Sequence, residues 1–506
     1  MPPVHSIEDQ IIYGKIAAVS RHAGEQLQRI SRSPLIAESR AFAAGIVTEA
    51  AGLVHQIQGE AEHLYALRAS TRAMYDHFAY DLEEGDVLIS ADVYKGGTKG
   101  QMLTMVLPFF LEGELTLSPV IRVQLTDLAG EYPGGYHPEA FEMWQESMRI
   151  TPVKLYSGGK LQRDVQRFVL ANSRTPGLLA SDLDALRASL LQAQTGLRSI
   201  IQAYGLSKVA RAIGQMKAHT QEQVLNLLPE GRKEWCGAAD FSASKVSGRV
   251  QVRMQREGNL WKADFTGSAS QVEAPFNCSE ATTSACAVVA ILAEHLESLP
   301  VNDGLLDVFD FKLPAGSIVN PAYPSATALG YHTAGQAVAA AVTHALNGSD
   351  NNEGKFPAVH GAAPLTVLYS PIGSQKQTVP VFLELGYTAS AGGWGPPVLH
   401  SGRSLASAEE LEWRSGLRMT QRELAGDEGM EVRVELLDGS WEACIFVPDQ
   451  ADSSGLSVAV ESCGEVWKGT VTGLPISAGA TIHYTFARNG GGRPAEKEVG
   501  LHGKKG

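Results

Sequence analysis

The composition of the chain excludes several classes of protein. It has 506 residues, of which 44% are apolar and 19% charged, and its formal net charge is −13 at pH 7. These values are typical of a globular protein, and the length predicts about three domains of roughly 150 residues each. Charges of both signs are spread along the chain without a basic stripe, so we expect no nucleic acid partner.

The cysteines and the N-terminus indicate a reducing compartment. The chain has five cysteines and no CxxC pair, which argues against a disulfide framework and against a thiolate zinc site. The first residues, MPPVHSIEDQ, lack the basic and apolar regions of a secretory signal. The longest apolar runs, such as residues 285–293, are far shorter than the ~18 residues of a membrane span. We therefore expect a cytoplasmic protein with no membrane partner.

The first half of the chain is predicted to combine one long helix, a group of strands and a helical segment. Ser6 and Asp9 form a capping-box start to an N-terminal amphipathic helix. Apolar or alternating runs separated by glycines predict strands within residues 40–60 and 86–124. Further along, leucine and isoleucine recur at helical spacing, so helices are expected within residues 161–228.

The second half begins with a mixed pattern and ends in strands. Alternating residues predict a hairpin within 247–265, and runs of small residues predict closely packed helices over 279–295 and 333–346. Short alternating strands follow, and Asp438-Gly439 is a hairpin turn signal. These strands predict a small all-β module, with the immunoglobulin-like sandwich as one candidate for its arrangement.

The predicted fold class is α+β. The predicted domains are an N-terminal α/β part (1–235), a second α/β part (236–425), the β module (426–490) and a polar tail expected to be disordered (491–506).

A glycine pair, Gly96-Gly97, is the first candidate for a ligand site. It lies between two apolar runs and is followed by Thr98 and Lys99. The pair is part of neither GxxxxGK[ST] nor GxGxxG, so the sequence predicts no nucleotide site in this chain. Glycine pairs between strands are more often tight turns than ligand cradles. Both interpretations stay open.

Several segments in chain order resemble the hydantoinase B/oxoprolinase family. The matching segments are RSPLIAESRAFAAGI (32–46), EGDVLISADVYKGGT (84–98), RITPVKLYSGGKL (149–161), VLANSRTP (169–176), DFTGSASQVEAPFNC (264–278), LPVNDG (299–304) and LPAGSIVNPAYPSAT (313–327). The resemblance covers about residues 7–345, and the C-terminal β module matches poorly. It implies a hydantoinase B-like fold of mixed sheets and helices in several layers.

The resemblance also implies a function. Members of the family are subunits or domains of N-methylhydantoinases, 5-oxoprolinases, and acetone and acetophenone carboxylases. It implies that ATP and Mg²⁺ are held by a separate hydantoinase A-like subunit, which phosphorylates a ketone or a cyclic amide. This chain would then be the B-type subunit of a hetero-oligomeric carboxylase or hydrolase. The alternative is a catalytically silent scaffold that keeps the fold and the partner interface.

In the family, the B-type subunit carries a transition metal, but this chain departs from the ligand pattern. The pattern after the glycine pair is Thr-His-x-x-Asp, and a His-His-x-Asp strand end follows. Here Lys99 and Met102 replace the first His and Asp, and Gln124 replaces a His of the second pattern, so that Asp127 is retained. Ammonium, thioether and amide groups cannot substitute for imidazole and carboxylate ligands. The family metal is therefore expected to be lost, and no cofactor is predicted for this chain itself.

Three interpretations of Lys99 compete. It could be a solvated or salt-bridged lysine in a decayed site. Its ammonium could instead replace the missing metal cation, pair with Asp127 and bind an anionic substrate group. A third possibility is a displaced metal site that uses Asp127, Glu131, His137 and Glu139.

The loop DFTGS is a second candidate for substrate binding. It follows a strand and precedes a helix start near Asn277 or Ser279, where backbone N–H groups could receive a carboxylate or phosphate. A turn followed by a helix cap is the plainer interpretation. The predicted catalytic residues are Lys99, Asp127 and Thr98, and the predicted substrate-binding residues are Gly96, Gly97, Asp264, Thr266, Ser268 and Asn277.

Other reactive side chains are weaker candidates. Cys278 could be a nucleophile, but the sequence identifies no histidine partner for it. His332 and His344 are more often structural than catalytic in such helical settings. Either His55 or His63 could reach a site.

Overall fold

The computed structural model describes residues 6–228, 234–292, 295–348, 364–371, 379–384, 388–390, 393–395, 409, 412, 416–424, 429–448 and 456–487. The predicted tail, 491–506, lies outside these residues. Within them the α-helices are α1 (Ile7–Ile30), α2 (Pro34–Ala37), α3 (His63–His77), α4 (Met143–Glu146), α5 (Arg163–Ala171), α6 (Pro176–Tyr204), α7 (Leu206–Leu227), α8 (Glu280–Leu292), α9 (Asp303–Leu306) and α10 (Ala334–Asn347).

The strands of the N-terminal and central parts are β1 (Phe42–Thr48), β2 (Leu53–Gln58), β3 (Val87–Ala91), β4 (Met102–Val106), β5 (Phe110–Leu111), β6 (Glu114–Leu115), β7 (Leu117–Gln124), β8 (Ile150–Ser157), β9 (Lys160–Leu161), β10 (Trp235–Ala243), β11 (Val246–Glu257), β12 (Leu260–Asp264) and β13 (Phe309–Lys312). The C-terminal strands are β14 (Leu365–Tyr369), β15 (Val381–Glu384), β16 (Thr388–Ser390), β17 (Gly393–Gly395), β18 (Leu417–Leu424), β19 (Gly429–Leu436), β20 (Ser440–Phe446), β21 (Ser457–Ser462), β22 (Glu465–Lys468), β23 (Val471–Ser477) and β24 (Thr481–Ala487).

A seven-stranded antiparallel sheet forms the centre of the N-terminal part, in the order β2-β1-β7-β4-β3-β8-β9. The central strands β1, β7, β4 and β3 are buried on both faces, which explains their nearly continuous apolar sequences. In β1, Phe42 and Ala44 join the core formed with α1 and α6. Ala43, on the opposite face, joins the core formed with α3, α8 and α10. The sheet is therefore a middle layer between two groups of helices.

A four-stranded sheet, β10-β11-β12-β13, covers the far side of α8 and α10. The predicted hairpin is present, because β11 pairs with β12 around the turn at Gly258. Small residues allow close packing here, on the strand side as well as in the helices, and Gly237 of β10 is an example. A Cβ there would lie 2.1 Å from the carbonyl oxygen of Ala341 in α10. The predicted α+β class, with helices and several mixed sheets, is confirmed.

Most of the C-terminal strands form two sheets around a shared core, and β16 and β17 pair separately. One sheet has the order β15-β14-β20-β23 and the other β18-β19-β24-β21-β22. Because β14 pairs with β20, the strand pairing crosses the predicted boundary at residues 425 and 426. No helix among the described residues has the length and apolar character to span a membrane.

Candidate functional site

The Gly96-Gly97 pair forms a tight turn against helix α3. Asp92 caps a single 3₁₀ turn after β3, and Gly96 ends that turn with φ of 83°. A Cβ at Gly96 would lie 2.4 Å from the backbone carbon of Ala69, and one at Gly97 would lie 2.6 Å from the oxygen of Asp92. Glycine is therefore required at both positions, for a positive φ at the first and for close backbone approach at both.

The same glycines line a cavity of about 510 Å³. Helix α3, the start of α8 and strand β13 form its other walls, and Arg72 and Ser284 contribute polar groups. Arg68 also faces the cavity, but its guanidinium is paired with Asp303 at 2.7 Å. Pockets of this size hold small molecules in many proteins. The turn and ligand interpretations of the glycine pair are therefore compatible.

The DFTGS loop does not line this cavity, and its side chains bond within the loop and to neighbouring strands. Asp264 accepts a hydrogen bond from the backbone N–H of Thr266 at 2.8 Å and pairs with Lys312 at 2.9 Å. Ser268 Oγ accepts from the N–H of Gln251 at 3.1 Å. These contacts support the interpretation of a turn.

Asn277 is a structural residue. Its amide donates to the carbonyl oxygens of Val272, Ala274 and Ala326 at 2.9–3.0 Å, and its Oδ1 accepts from the N–H of Val272 at 2.9 Å. The side chain is fully buried, and these bonds use its hydrogen-bonding capacity. Asn277 was predicted to bind substrate, but it does not line the cavity.

Lys99 is buried and forms an ion pair with Glu62. Its Nζ lies 3.0 Å from Glu62 Oε1, and the two side chains are 4% and 1% exposed. Of the three interpretations, the pairing of Lys99 with Asp127 is wrong, whereas the first, a solvated or salt-bridged lysine, holds in its second form: Lys99 is salt-bridged and out of solvent. The physical reason is that Glu62 lies at the start of α3, directly beside the loop that carries Lys99.

Asp127 has a different partner. Its carboxylate accepts from the backbone N–H of Arg174 at 2.6 Å, from the guanidinium of Arg174 at 3.0 Å and from the N–H of Gly134 at 3.3 Å. These bonds tie the segment after β7 to the start of α6. Asp127 therefore stabilises the local fold instead of facing Lys99.

Glu62 belongs to a buried cluster with Glu60 and His63, which we call the EEH cluster. The ligand atoms of these three side chains all lie within 4.8 Å of one another, and each residue is no more than 5% exposed. Sequence reasoning named His63 without assigning it and missed both glutamates. The available signal was the sequence Glu60-Ala61-Glu62-His63, acidic residues at the junction of a strand and a helix.

Thr98 is held by a buried arginine. Arg122 in β7 donates to Thr98 Oγ1 at 2.9 Å and to Thr104 Oγ1 at 2.8 Å. Burial lowers the pKa of Arg122 to about 10, and the charge of Glu62 acts in the opposite direction. Thr98 and Lys99 thus anchor the glycine turn to buried charges.

The positions that depart from the expected metal pattern lie together in the fold. Met102 pairs with Gln124 across β4 and β7. Gln124 Nε2 donates to the Tyr136 hydroxyl at 3.1 Å, and Lys99 Nζ lies 5.4 Å from the centroid of the Tyr136 ring. Lys99 and Gln124 therefore both contact Tyr136, and Met102 lies beside Gln124 on the neighbouring strand.

Comparison with known proteins identifies the family. The sequence pattern described as Hydantoinase B/oxoprolinase matches residues 5–430. The chain belongs to this family. The beta chain of the caprolactamase of Pseudomonas jessenii is 27% identical over 46% of this chain and 40% of its own length. 5-oxoprolinase 1 of Arabidopsis thaliana is 24% identical over 63% of this chain and 27% of its own.

The chain also covers only part of another relative. An uncharacterized protein of Methanocaldococcus jannaschii is 25% identical over 68% of this chain and 64% of its own length. The chain thus spans less than two thirds of that protein and about a quarter of the 5-oxoprolinase.

Solved structures extend the likeness to the C-terminal strands. The ATP-dependent caprolactamase from Pseudomonas jessenii superposes with a TM-score of 0.84 over 97% of this chain and 93% of its own, at 19% identity. A nucleotide-free acetone carboxylase superposes with a TM-score of 0.80 over 96% of this chain and 75% of its own, at 15% identity. The hydantoinase B-like fold is therefore confirmed over nearly the whole chain.

The side chains around Tyr136 do not fit the transition metal that the family resemblance implies. An ammonium, a thioether and an amide occupy these positions, and none of the three is a suitable ligand for a hard or borderline divalent metal. We therefore assign no reaction step to that metal in this chain.

The displaced metal site is not assembled either. His137 Nδ1 lies 3.4 Å from Glu131 Oε2, and burial lowers the pKa of His137 although Glu131 and Glu139 act in the opposite direction. Asp127 is bonded to Arg174 instead. Among the residues that the structure describes, the EEH cluster is the one group of three such ligands within 4.8 Å.

The other reactive side chains are structural in their surroundings. Cys278 donates to the carbonyl oxygen of Gly330 at 3.2 Å, and burial raises the pKa of its thiol. Burial lowers the pKa of His55 to about 4. Neither group is suited to nucleophilic or acid–base chemistry near pH 7.

Proposed function

We propose that this chain is the B-type subunit of an ATP-dependent hetero-oligomeric enzyme that hydrolyses a cyclic amide. A hydantoinase A-like partner would bind ATP and Mg²⁺ and activate the substrate, and this chain would complete the cavity in which the activated group reacts. The observation that carries the proposal is the fold match to caprolactamase, which spans nearly the full length of both chains. The absence of a P-loop or GxGxxG motif in the sequence agrees with ATP binding by a partner.

We rank a cyclic amide above a ketone as the candidate substrate because of the names of the relatives. The sequence relatives include a caprolactamase, several 5-oxoprolinases and a D-/L-hydantoinase. Each of these three enzyme names is formed from the name of a cyclic amide: caprolactam, 5-oxoproline or hydantoin. Acetone carboxylase supports the ketone alternative through its fold alone, at 15% identity. Carboxylation of a ketone is therefore the second candidate.

In this proposal the two ends of the loop 96–99 have different functions. Gly96 and Gly97 would contact substrate through their backbone, and the exposed guanidinium of Arg72 would hold an anionic or phosphorylated group. Lys99 and Thr98 would act as positioning residues, because Glu62 and Arg122 fix them on the buried side of the loop. Once covered in the assembled enzyme, the cavity would orient a labile phosphorylated intermediate and keep water from it.

The rival proposal is a scaffold without chemistry of its own. Two observations favour it: the positive charge of Lys99 is already paired with Glu62, and the side chains around Tyr136 are poor metal ligands. A scaffold would still need the fold and the interface with the partner.

Turnover by the reconstituted complex separates the two proposals. The full chain is combined with its ATP-binding partner and assayed for ATP-dependent conversion of ε-caprolactam, 5-oxoproline, hydantoin and acetone. Arg72→Ala is compared with Arg253→Ala, which removes an exposed arginine of β11 that does not line the cavity. We expect Arg72→Ala to raise KM about tenfold, the effect of losing one charged contact, with the control unchanged. Unchanged kinetics in Arg72→Ala would favour the scaffold.

A further inference from the structure

The EEH cluster has the chemistry of a metal site. Two carboxylates and one imidazole are ligands that divalent transition metals accept, and their ligand atoms are close enough to share one ion. The cluster lies where β2 leads into α3, and it uses none of the positions of the family pattern. Its three ligand side chains are therefore different from the residues around Tyr136, although Lys99 contacts both groups.

A second observation points to a cation at the same place. Glu62 Oε2 is buried and accepts no hydrogen bond from any residue that the structure describes. The other oxygen of this carboxylate contacts the ammonium of Lys99. Leaving a buried carboxylate oxygen unpaired is unfavourable, and a cation would relieve it. The start of α3 adds a partial positive charge but donates no bond to the Glu62 side chain.

We propose that Glu60, Glu62 and His63 form a latent site for a divalent transition metal, which the ammonium of Lys99 keeps closed. The metal and the ammonium exclude each other because both would neutralise Glu62. Two cations in contact with the same buried carboxylate repel each other strongly. The lysine is thus a covalently attached cation in a ligand set that could otherwise bind a metal. This inference is independent of the proposed function, since it concerns the purified chain without partner or substrate.

The test measures metal content of the purified full chain. Lys99→Met removes the charge and keeps the length of the side chain, and Lys95→Met is the control, because Lys95 is exposed and precedes the same glycine pair. Each protein is incubated with Zn²⁺ or Mn²⁺, dialysed and analysed by mass spectrometry of metals. We expect Lys99→Met to retain about one equivalent, and the wild type and Lys95→Met less than about a tenth of one.

A second substitution locates the metal. Adding Glu62→Gln to Lys99→Met should weaken the affinity by at least about tenfold, since it removes a charged ligand. With Co²⁺ as the probe, the visible absorption of Lys99→Met should disappear in the double variant. Equal affinity in the two proteins would place the metal elsewhere and overturn the proposal.

Three further outcomes would also overturn it. These are no retained metal in Lys99→Met, one equivalent in the wild type, and equal content in Lys99→Met and the Lys95→Met control. If Lys99→Met is unfolded without metal, its circular dichroism is measured after refolding in Zn²⁺. Recovery of the folded spectrum supports the proposal, and failure to recover it contradicts it. The Lys99→Met/Glu62→Gln protein, in which both charges of the ion pair are removed, serves as the folded reference.

Discussion

The ion pairs Asp127–Arg174 and Glu62–Lys99 both place a carboxylate out of solvent, but their surroundings differ. Asp127 accepts hydrogen bonds from two backbone N–H groups as well as from a guanidinium. Glu62 contacts one ammonium and has an oxygen without a hydrogen bond from the described residues. The first pair is a fully bonded link between segments of the fold. In the second pair, the buried negative charge of Glu62 is neutralised by the ammonium of Lys99.

This difference distinguishes a structural pair from one open to exchange. Both oxygens of the Asp127 carboxylate already accept hydrogen bonds, whereas Glu62 has an oxygen without one, beside two further ligand side chains. Four substitutions sharpen or break the comparison, beginning with the largest expected effect.

Lys99→Met should destabilise the protein most. It leaves the buried Glu62 carboxylate without its cation, and removal of one partner of a buried pair costs about 3–5 kcal/mol. The free energy of unfolding, measured in urea in metal-free buffer, should fall by that amount. Lys95→Met should stay within about 0.5 kcal/mol of the wild type. A loss below about 1 kcal/mol in Lys99→Met would contradict the dependence of Glu62 on Lys99.

Glu146 extends the comparison to a carboxyl group that is bonded by the backbone and has no ion pair with the described residues. Burial raises its pKa to about 8 from 4.5, and hydrogen bonds from the N–H groups of Thr327 and Ala328 act in the opposite direction. Because the folded pKa is raised, its contribution to stability is fully present below pH 4.5 and is lost as pH rises through 8.

We therefore expect the wild type to lose on the order of 3 kcal/mol of unfolding free energy between pH 5 and pH 8, apart from other groups. Glu146→Gln keeps an oxygen for the same N–H groups and should remove most of this loss. Urea unfolding of both proteins across this pH range measures the difference. Parallel pH profiles would show that Glu146 does not titrate as described.

Asp127→Ala should cost about 2 kcal/mol, because it leaves N–H groups of Arg174 and Gly134 without their acceptor. A further Arg174→Met substitution should not restore stability, since the backbone groups stay unpaired. Urea unfolding of both proteins checks this. Recovery of stability in the double variant would mean that charge, not backbone bonding, dominates at Asp127.

Asp264→Asn should have the smallest effect. Burial raises the pKa of Asp264, but hydrogen bonds from Thr266 and the ammonium of Lys312 lower it by more than burial raises it. The resulting pKa is about 2. The contribution is present above pH 3.8 and lost as pH falls through 2. The side chain is 35% exposed, so solvent screening limits the effect to less than about 1 kcal/mol at pH 7. A larger loss of unfolding free energy at pH 7 would indicate a role for this loop that its exposure does not explain.

The fold could be predicted where neighbouring residues determine it. The alternation at Phe42, Ala43 and Ala44 and the turn at Gly258 depend on local periodicity and conformation, and both are present. The pairing of β14 with β20 could not be read from the sequence, because about seventy residues separate the two strands and neither carries a signal for its partner.

The candidate site could likewise be predicted where local sequence determines it, and not where it depends on long-range packing. The turn at Gly96-Gly97 needs glycine locally, and it was identified. The partner of Lys99 depends on how α3 packs against the loop, and local sequence does not record this. Asp127 was chosen because it is the retained carboxylate of the family pattern, but the start of α6 brings Arg174 to it instead.

A double-mutant cycle over Lys99 and Glu62 tests the central claim most directly. The free energies of unfolding of the wild type, Lys99→Met, Glu62→Gln and the double variant are measured in metal-free buffer. If each buried charge is stabilised mainly by the other, the double variant will be more stable than Lys99→Met. The coupling energy between the two positions will then be about 2–3 kcal/mol. Additive losses, with a coupling near zero, would contradict the claim that Lys99 is the cation on which Glu62 depends.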